Sequence, residues 1–147
     1  MKILVLNGPN LNLLGIREEN IYGSESLQDV EHKLKEIADE VNAQISFYQS
    51  NAEHDLINAI HDAYESGVEL IIFNPAAYTH TSVALRDALL AVSIPFYEVH
   101  ISDIETREEF RQKSLISDIV TGGIFGLGVD GYILAIISMQ KLMKNEN

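Results

Sequence analysis

Apolar and polar positions alternate along this chain in blocks that change period. Lys2–Leu6 reads KILVL and is apolar on both faces, as a central strand of a parallel sheet is. Asn7-Gly8-Pro9-Asn10 follows as a strong turn signal. Residues 11–22 have no clean period and form a long loop holding Gly15, Arg17, Glu18, Glu19 and Tyr22. Loops of that length inside a compact domain tend to be lids or binding loops. Between Gly23 and Asn42 the spacing of Leu27, Val30, Leu34, Ile37 and Val41 predicts a helix with one apolar stripe, opened by a Ser26/Asp29 capping box. Gln44–Tyr48 reads as a second strand. Ser50 with Glu53 suggests another cap, and Leu56, Ile57, Ile60, Ala63 and Tyr64 carry a helix to Gly67.

Glu69–Asn74 is a third strand, broken at Asn74-Pro75. A helix is expected over about residues 80–92, through Val83, Ala84, Leu85, Ala88, Leu89 and Val92. Ile94–His100 is a fourth strand, and Asp103–Lys113 a charged loop with a short helix. Ile116–Ile124 is expected as a fifth strand, ending at Gly122-Gly123. Tyr132–Met143 closes the chain as a helix apolar nearly all round, which suits the core or a subunit interface. Five βα units in succession specify a parallel sheet with right-handed crossovers and helices on both faces. At this length the expected architecture is a flavodoxin-like three-layer α/β sandwich of order 2-1-3-4-5, one domain over residues 1–147.

Composition narrows the function classes. The chain has 147 residues, is 46% hydrophobic and lacks cysteine, so thiol catalysis and zinc–thiolate sites are excluded. About 70% of the unfolded surface can be buried at this length, enough for one core. The net charge of −12 argues against nucleic acid and an anionic membrane as partners. It leaves room for a small anionic ligand, because one or two of the four arginines (17, 86, 107, 111) can set the local sign in a cleft. The N-terminal apolar run is too short for a signal h-region, and no stretch approaches 20 apolar residues, so a cytoplasmic location is expected.

In the 2-1-3-4-5 order the ends of strands one, three and four lie side by side at the switch point, where ligands bind. Those ends carry Asn7 and Asn10, then Asn74 and His80, then Glu98, His100 and Ser102. Taken singly, Asn-Gly-Pro-Asn and Asn-Pro are also ordinary turns. The run Asn74, Tyr78, Thr79, His80, Thr81 and Ser82 is denser in hydrogen-bonding groups than packing calls for. On a helix, His80 and Asp87 would share a face, as solvent-facing residues also would. Glu98 and His100 share a face of their strand, so the carboxylate can orient the imidazole and favour its charged form; a satisfied structural histidine reads the same way. Arg17 and Tyr22 share the long loop, where an Arg beside a phenol stabilises phenolate, or the Tyr simply pins the loop. Gly126-Leu-Gly128-Val-Asp-Gly131 satisfies G-x-G-x-x-G, but no strand follows it, so it reads as a turn with close helix–sheet packing rather than a dinucleotide site. None of the six lysines reads as a Schiff-base nucleophile, and no spacing suggests a metal cage.

Four blocks in order, LNGPNLNLLG at 6–15, R-x-x-x-x-Y-G at 17–23, FNPAAYTHTSVALRDAL at 73–89 and EVHISDIETREEFR at 98–111, resemble the type II 3-dehydroquinate dehydratases. The resemblance spans essentially the whole chain. It implies a flavodoxin-like lyase that dehydrates 3-dehydroquinate to 3-dehydroshikimate without metal or cofactor, in the shikimate route to aromatic amino acids. It also implies a dodecamer of four trimers. By position, Tyr22 is then the base and Arg17 stabilises its phenolate. Asn10 holds a water at the enolate, His100 is the acid, and Glu98 orients it. Asn74, His80, Ile101, Ser102 and Arg111 bind substrate, Arg111 at a hydroxyl, and Asp87 reaches a neighbouring subunit's site. The chain departs from the family's pattern at Glu18-Glu19-Asn20-Ile21, where a Pro commonly follows the Arg. It departs also at Asp103, where Asn is more frequent, and at Gln112-Lys113, where His is. None of these is a named catalytic position. Two other classes compete: a non-catalytic flavodoxin-like module binding FMN or a phosphate metabolite, and a retired enzyme kept as an oligomeric scaffold. No Ser/Thr-rich phosphate loop follows strand one, which weighs against the first.

Overall fold

The structure is a computed structural model and describes residues 1–16 and 18–146, the side chains of Glu19 and Glu146 excepted. Five parallel strands, β1 (Lys2–Asn7), β2 (Gln44–Gln49), β3 (Leu70–Asn74), β4 (Phe96–His100) and β5 (Gly122–Phe125), pair in the order β2-β1-β3-β4-β5. This is the expected flavodoxin-like α/β arrangement. Every residue of β1 and β3 except Lys2 is buried, because helices cover both faces. A short helix α1 (Glu19–Tyr22) interrupts the long loop, followed by α2 (Leu27–Glu40), α3 (Glu53–Glu65), α4 (Val83–Val92) and α5 (Asp130–Glu146). One core layer joins Ile3, Val5, Ile72 and Val99 to Val30 and Leu34 of α2 and Tyr132, Ile136 and Met139 of α5. The other joins Leu4, Leu6, Ile71 and Phe73 to Leu56 and Ile60 of α3 and Leu85 and Leu89 of α4. No described helix is long and apolar enough to cross a membrane.

The capping box forms as expected: Ser26 Oγ accepts from Asp29 N, and the Asp29 carboxylate accepts from Ser26 N. The second expected cap does not. Ala52 is the N-cap of α3, and Ser50 instead accepts from Ala52 N and donates to Asp55. A short turn outcompetes the capping box there. The helix expected from residue 80 begins at Val83, because Ser82 Oγ accepts from Leu85 N and sets the N-cap. Residues Ala76–His80 form a separate 3-10 turn. His80 and Asp87 therefore do not share a helix face.

The fifth strand is also shorter than expected. Residues 116–121 are bends and turns, and pairing with β4 starts at Gly122 against Tyr97. Ile116 packs in the core, but Leu115 N donates to Thr79 O at 2.8 Å and Ile119 N to Ile116 O at 3.1 Å, which pulls the backbone off the sheet direction. β4 starts at Phe96, two residues later than expected. α5 buries Tyr132, Ala135, Ile136 and Met139 and leaves Leu134, Ile137 and Leu142 exposed, so it is core on one side only. The glycine motif serves a turn: Gly126 has φ +79°, and a Cβ on Gly131 would lie 3.2 Å from Ile124 and Val99, so this glycine lets α5 seat closely on the sheet.

Candidate active site

The tips of β1, β3 and β4 meet where the strand order reverses, and one cavity opens there. Gly8 lets the first two tips touch: its N donates to Asn74 O at 2.8 Å, and a Cβ would fall 2.3 Å from Pro75 O. Behind them a buried polar chain crosses from sheet to helix. Asn74 Nδ2 donates to Tyr132 Oη at 2.9 Å, and that hydroxyl donates to Asn7 Oδ1 at 2.6 Å. Burial pushes the Tyr132 phenol far up, so it serves as a neutral hydrogen-bonding group. Asn74 Oδ1 accepts from Ala76 N at 3.1 Å, which holds Ala76 in the left-handed region at φ 53° beside the cavity. Asn74 also lines the cavity.

Asn10, Tyr22, Asn74, His80, His100, Ile101, Ser102 and Arg111 of the expected site all line this cavity. Asn10 sits at φ 69°, a conformation asparagine tolerates, and its N donates to Asn51 Oδ1 at 3.0 Å. Tyr78 Oη donates to Asn51 O at 2.6 Å, so Asn51 fastens the β1 tip to the β3 tip. Glu98 does not line the cavity; it lies fully buried behind it. Asp87 lies on α4, away from the cavity of its own chain. Arg17 lies outside the described residues.

Arg107, which no sequence motif singles out, reaches into this cavity. Its Nη1 donates to Tyr22 Oη at 2.6 Å and to Ser102 Oγ at 3.4 Å, and its guanidinium lies 5.5 Å from the Tyr22 ring centre. Eighty-five residues separate it from Tyr22. The only signal available was that the chain holds four arginines. Arg107 and Arg111 both line the cavity, which makes it locally cationic in a strongly acidic protein.

His100 Nε2 donates to Glu98 Oε2 at 2.7 Å, and its ring stacks on Phe125 at 5.3 Å. Burial alone would raise the Glu98 carboxyl. The His100 hydrogen bond and charge, with the Ser114 and Thr79 hydroxyls, outweigh it and hold this carboxyl below the usual carboxylate range. An ionised Glu98 can only accept, so His100 Nε2 carries a proton and Nδ1 is the nitrogen left to serve the cavity. Burial, aided by the nearby His100 and Arg111 charges, holds His80 below the usual imidazole range, against the opposing pull of Lys113 O and Glu98. With Nδ1 donating to Lys113 O at 2.7 Å, neutral His80 offers Nε2 as an acceptor. Among the described residues, no group of three or more His, Cys, Asp or Glu could hold a metal.

A phenol held by a guanidinium and an imidazole held by a carboxylate thus line one cavity. Such a pair suits proton removal beside a carbonyl and protonation of a leaving group. Comparison with known proteins points the same way. Residues 1–140 match the family described as Dehydroquinase class II. The 3-dehydroquinate dehydratase of Methylococcus capsulatus is 60% identical over 134 residues, covering 91% of this chain and 90% of its own length. The crystal structure of a type II dehydroquinase from Butyrivibrio crossotus is 49% identical, superposes with a TM-score of 0.93 and covers 95% of this chain and 97% of that one. That from Propionibacterium acnes gives 43% and 0.90, covering 94% of both chains. Sequence and fold agree over nearly the whole length, and the chain belongs to the class II dehydroquinase family.

Proposed function

We propose that this protein is a lyase that dehydrates 3-dehydroquinate to 3-dehydroshikimate on the shikimate route to aromatic amino acids, working as one catalytic domain in the cytoplasm. The observation that carries the reading is that Tyr22, gripped by Arg107, and His100, gripped by Glu98, line the same cavity. The family and the names of its members supply the substrate.

The chemistry follows from the groups present. The phenolate of Tyr22 takes a proton from the carbon next to the ketone, and the electron pair moves onto the carbonyl oxygen as an enolate. Arg107 stabilises the phenolate before transfer; Arg17 is proposed to share that task. Preorganised donors near the developing oxyanion lower the barrier most, and Asn10, which lines the cavity, is proposed to hold a water there. The enolate then collapses and expels the hydroxyl group from the next carbon. His100 gives its Nδ1 proton to that hydroxyl, which leaves as water, and keeps its Nε2 proton, hydrogen-bonded to the Glu98 carboxylate. The ring ends as a neutral imidazole in the tautomer its partner already selects.

Asn74, His80, Ile101, Ser102 and Arg111, which all line the cavity, bind the substrate. The local positive charge of Arg107 and Arg111 suits a carboxylate-bearing ligand. Asp87 is proposed to serve a neighbouring subunit in a dodecamer of four trimers. Its place on α4, beside exposed Val83 and Leu90, supports that reading. The test is turnover of 3-dehydroquinate by purified protein, followed by the ultraviolet absorbance of the conjugated enone product. A rise with substrate alone is expected. No rise from a folded sample would refute the reading.

A further inference from the structure

Thr79 stands in the polar run after β3 and has no place in the reaction as described. It is 1% exposed, and its hydroxyl donates to Glu98 Oε2 at 2.7 Å. Ser114 Oγ donates to the same oxygen at 2.7 Å, and Ser117 Oγ to Oε1 at 2.8 Å. With His100 Nε2, four donors close on a carboxylate that is 0% exposed. Neither Thr79 nor the two serines line the cavity.

Ser117 comes from the stretch that turns where a strand was expected, and Ser114 from just before it. This segment is fastened on both sides. Arg86 Nη1 donates to Leu115 O at 2.9 Å, and the same guanidinium pairs with both oxygens of Asp118. Leu115 N donates to Thr79 O, and His80 Nδ1 to Lys113 O. Thr79 therefore holds both the carboxylate and the stretch that brings the other two hydroxyls.

The remaining surroundings of Glu98 offer little. Across the sheet it faces Phe73 on β3 and Gly123 on β5. The titratable groups facing it are His100 on its own strand and His80 from the 3-10 turn; Arg111 acts next to His80. A fully buried carboxylate without donors takes up a proton instead of staying charged.

We propose that Thr79 is a positioning residue for the acid His100, the anchor of a three-hydroxyl cage with Ser114 and Ser117 that keeps the Glu98 carboxylate charged and aimed at His100 Nε2. This rests on the reading of His100 as the acid. Hydrogen bonds to an ionised group are the strong ones, and a buried one cannot be replaced by water at the fully enclosed Thr79 site.

The test is Thr79→Val, which keeps shape and removes the hydroxyl. Isotope-edited infrared titration reads the Glu98 carboxyl as the band absent from Glu98→Gln. In the native protein that carboxyl protonates below the usual carboxylate range. In Thr79→Val its midpoint is expected to rise by about one to two pH units. kcat is expected to fall about tenfold to a hundredfold with KM within about twofold, because the cavity lining is untouched. Thr79→Ser should restore both. A folded Thr79→Val with native titration and native kcat overturns the proposal, as does a change confined to KM. If that variant does not fold, Ser114→Ala takes its place in the same two measurements: a raised midpoint with lowered kcat supports the cage, and native values of both overturn it. A shifted titration in a protein that leaves 3-dehydroquinate untouched would sink the catalytic reading of His100 and leave the cage standing, so the two failures are distinct.

Discussion

Tyr22→Phe is expected to remove turnover of 3-dehydroquinate, by at least about 10²–10⁴-fold in kcat, while binding stays within about an order of magnitude. The hydroxyl is the only group lost. The ring still belongs to the core layer beneath the cavity, so the shape of the site is kept. What disappears is the oxygen that accepts from Arg107 Nη1 at 2.6 Å and takes the substrate's proton. Steady-state kinetics together with equilibrium binding of a substrate analogue separates the two effects. A variant that turns over at the native rate would strike Tyr22 as the base. A variant that loses binding as completely as turnover would make the hydroxyl a binding group instead.

Arg107→Met is expected to lower kcat by about 10²–10³-fold, the loss typical of removing one preorganised charge-stabilising donor. Methionine retains bulk, but the guanidinium charge beside the phenol oxygen is gone. Arg107→Lys should recover only part of the loss, because the shorter lysine side chain does not carry its ammonium as far as Nη1, the one nitrogen that meets both Tyr22 and Ser102. The decisive comparison is the double variant. If Arg107 acts through Tyr22, Tyr22→Phe with Arg107→Met should be no slower than Tyr22→Phe alone. Full additivity of the two losses would mean that Arg107 contributes elsewhere, as a substrate ligand.

The residues that touch the cavity were largely legible, and of those that hold them Glu98 was legible while Arg107, Tyr132 and Asn51 were not. Continuous apolar runs marked β1 and β3, the capping box marked α2, and alternation of period pointed to a parallel sheet, with the strand order expected from the chain's length. These signals are local and strong. Arg107 was hidden because it stands in a charged stretch, Glu105 to Arg111, that reads as a solvated loop; only the fold carries it to Tyr22. Tyr132 was counted into an apolar helix, although its hydroxyl ties Asn7 to Asn74. Asn51 stands between the second strand and the following helix, and nothing in its neighbours pointed to Asn10. The stretch 116–121 misled most. Ile116, Ile119 and Val120 have strand-like composition, but the hydroxyls and backbone of residues 114–118 are taken by Glu98, Thr79 and Arg86. Tertiary hydrogen bonding overrode the apolar pattern there. A local hydrogen bond moved the start of α4: Ser82 Oγ accepts from Leu85 N, sets the cap and leaves His80 in the turn that faces the cavity.

The reaction turns on the division of labour between Tyr22 and His100, and one measurement separates the two steps. His100→Ala is incubated with 3-dehydroquinate in deuterium oxide, and the substrate is recovered and examined by proton NMR. If Tyr22 alone forms the enolate and His100 acts only on the leaving hydroxyl, the hydrogen next to the ketone exchanges with solvent while almost no 3-dehydroshikimate appears. If exchange and elimination vanish together in a folded variant that still binds substrate, proton removal depends on His100, and the assignment of base and acid is wrong.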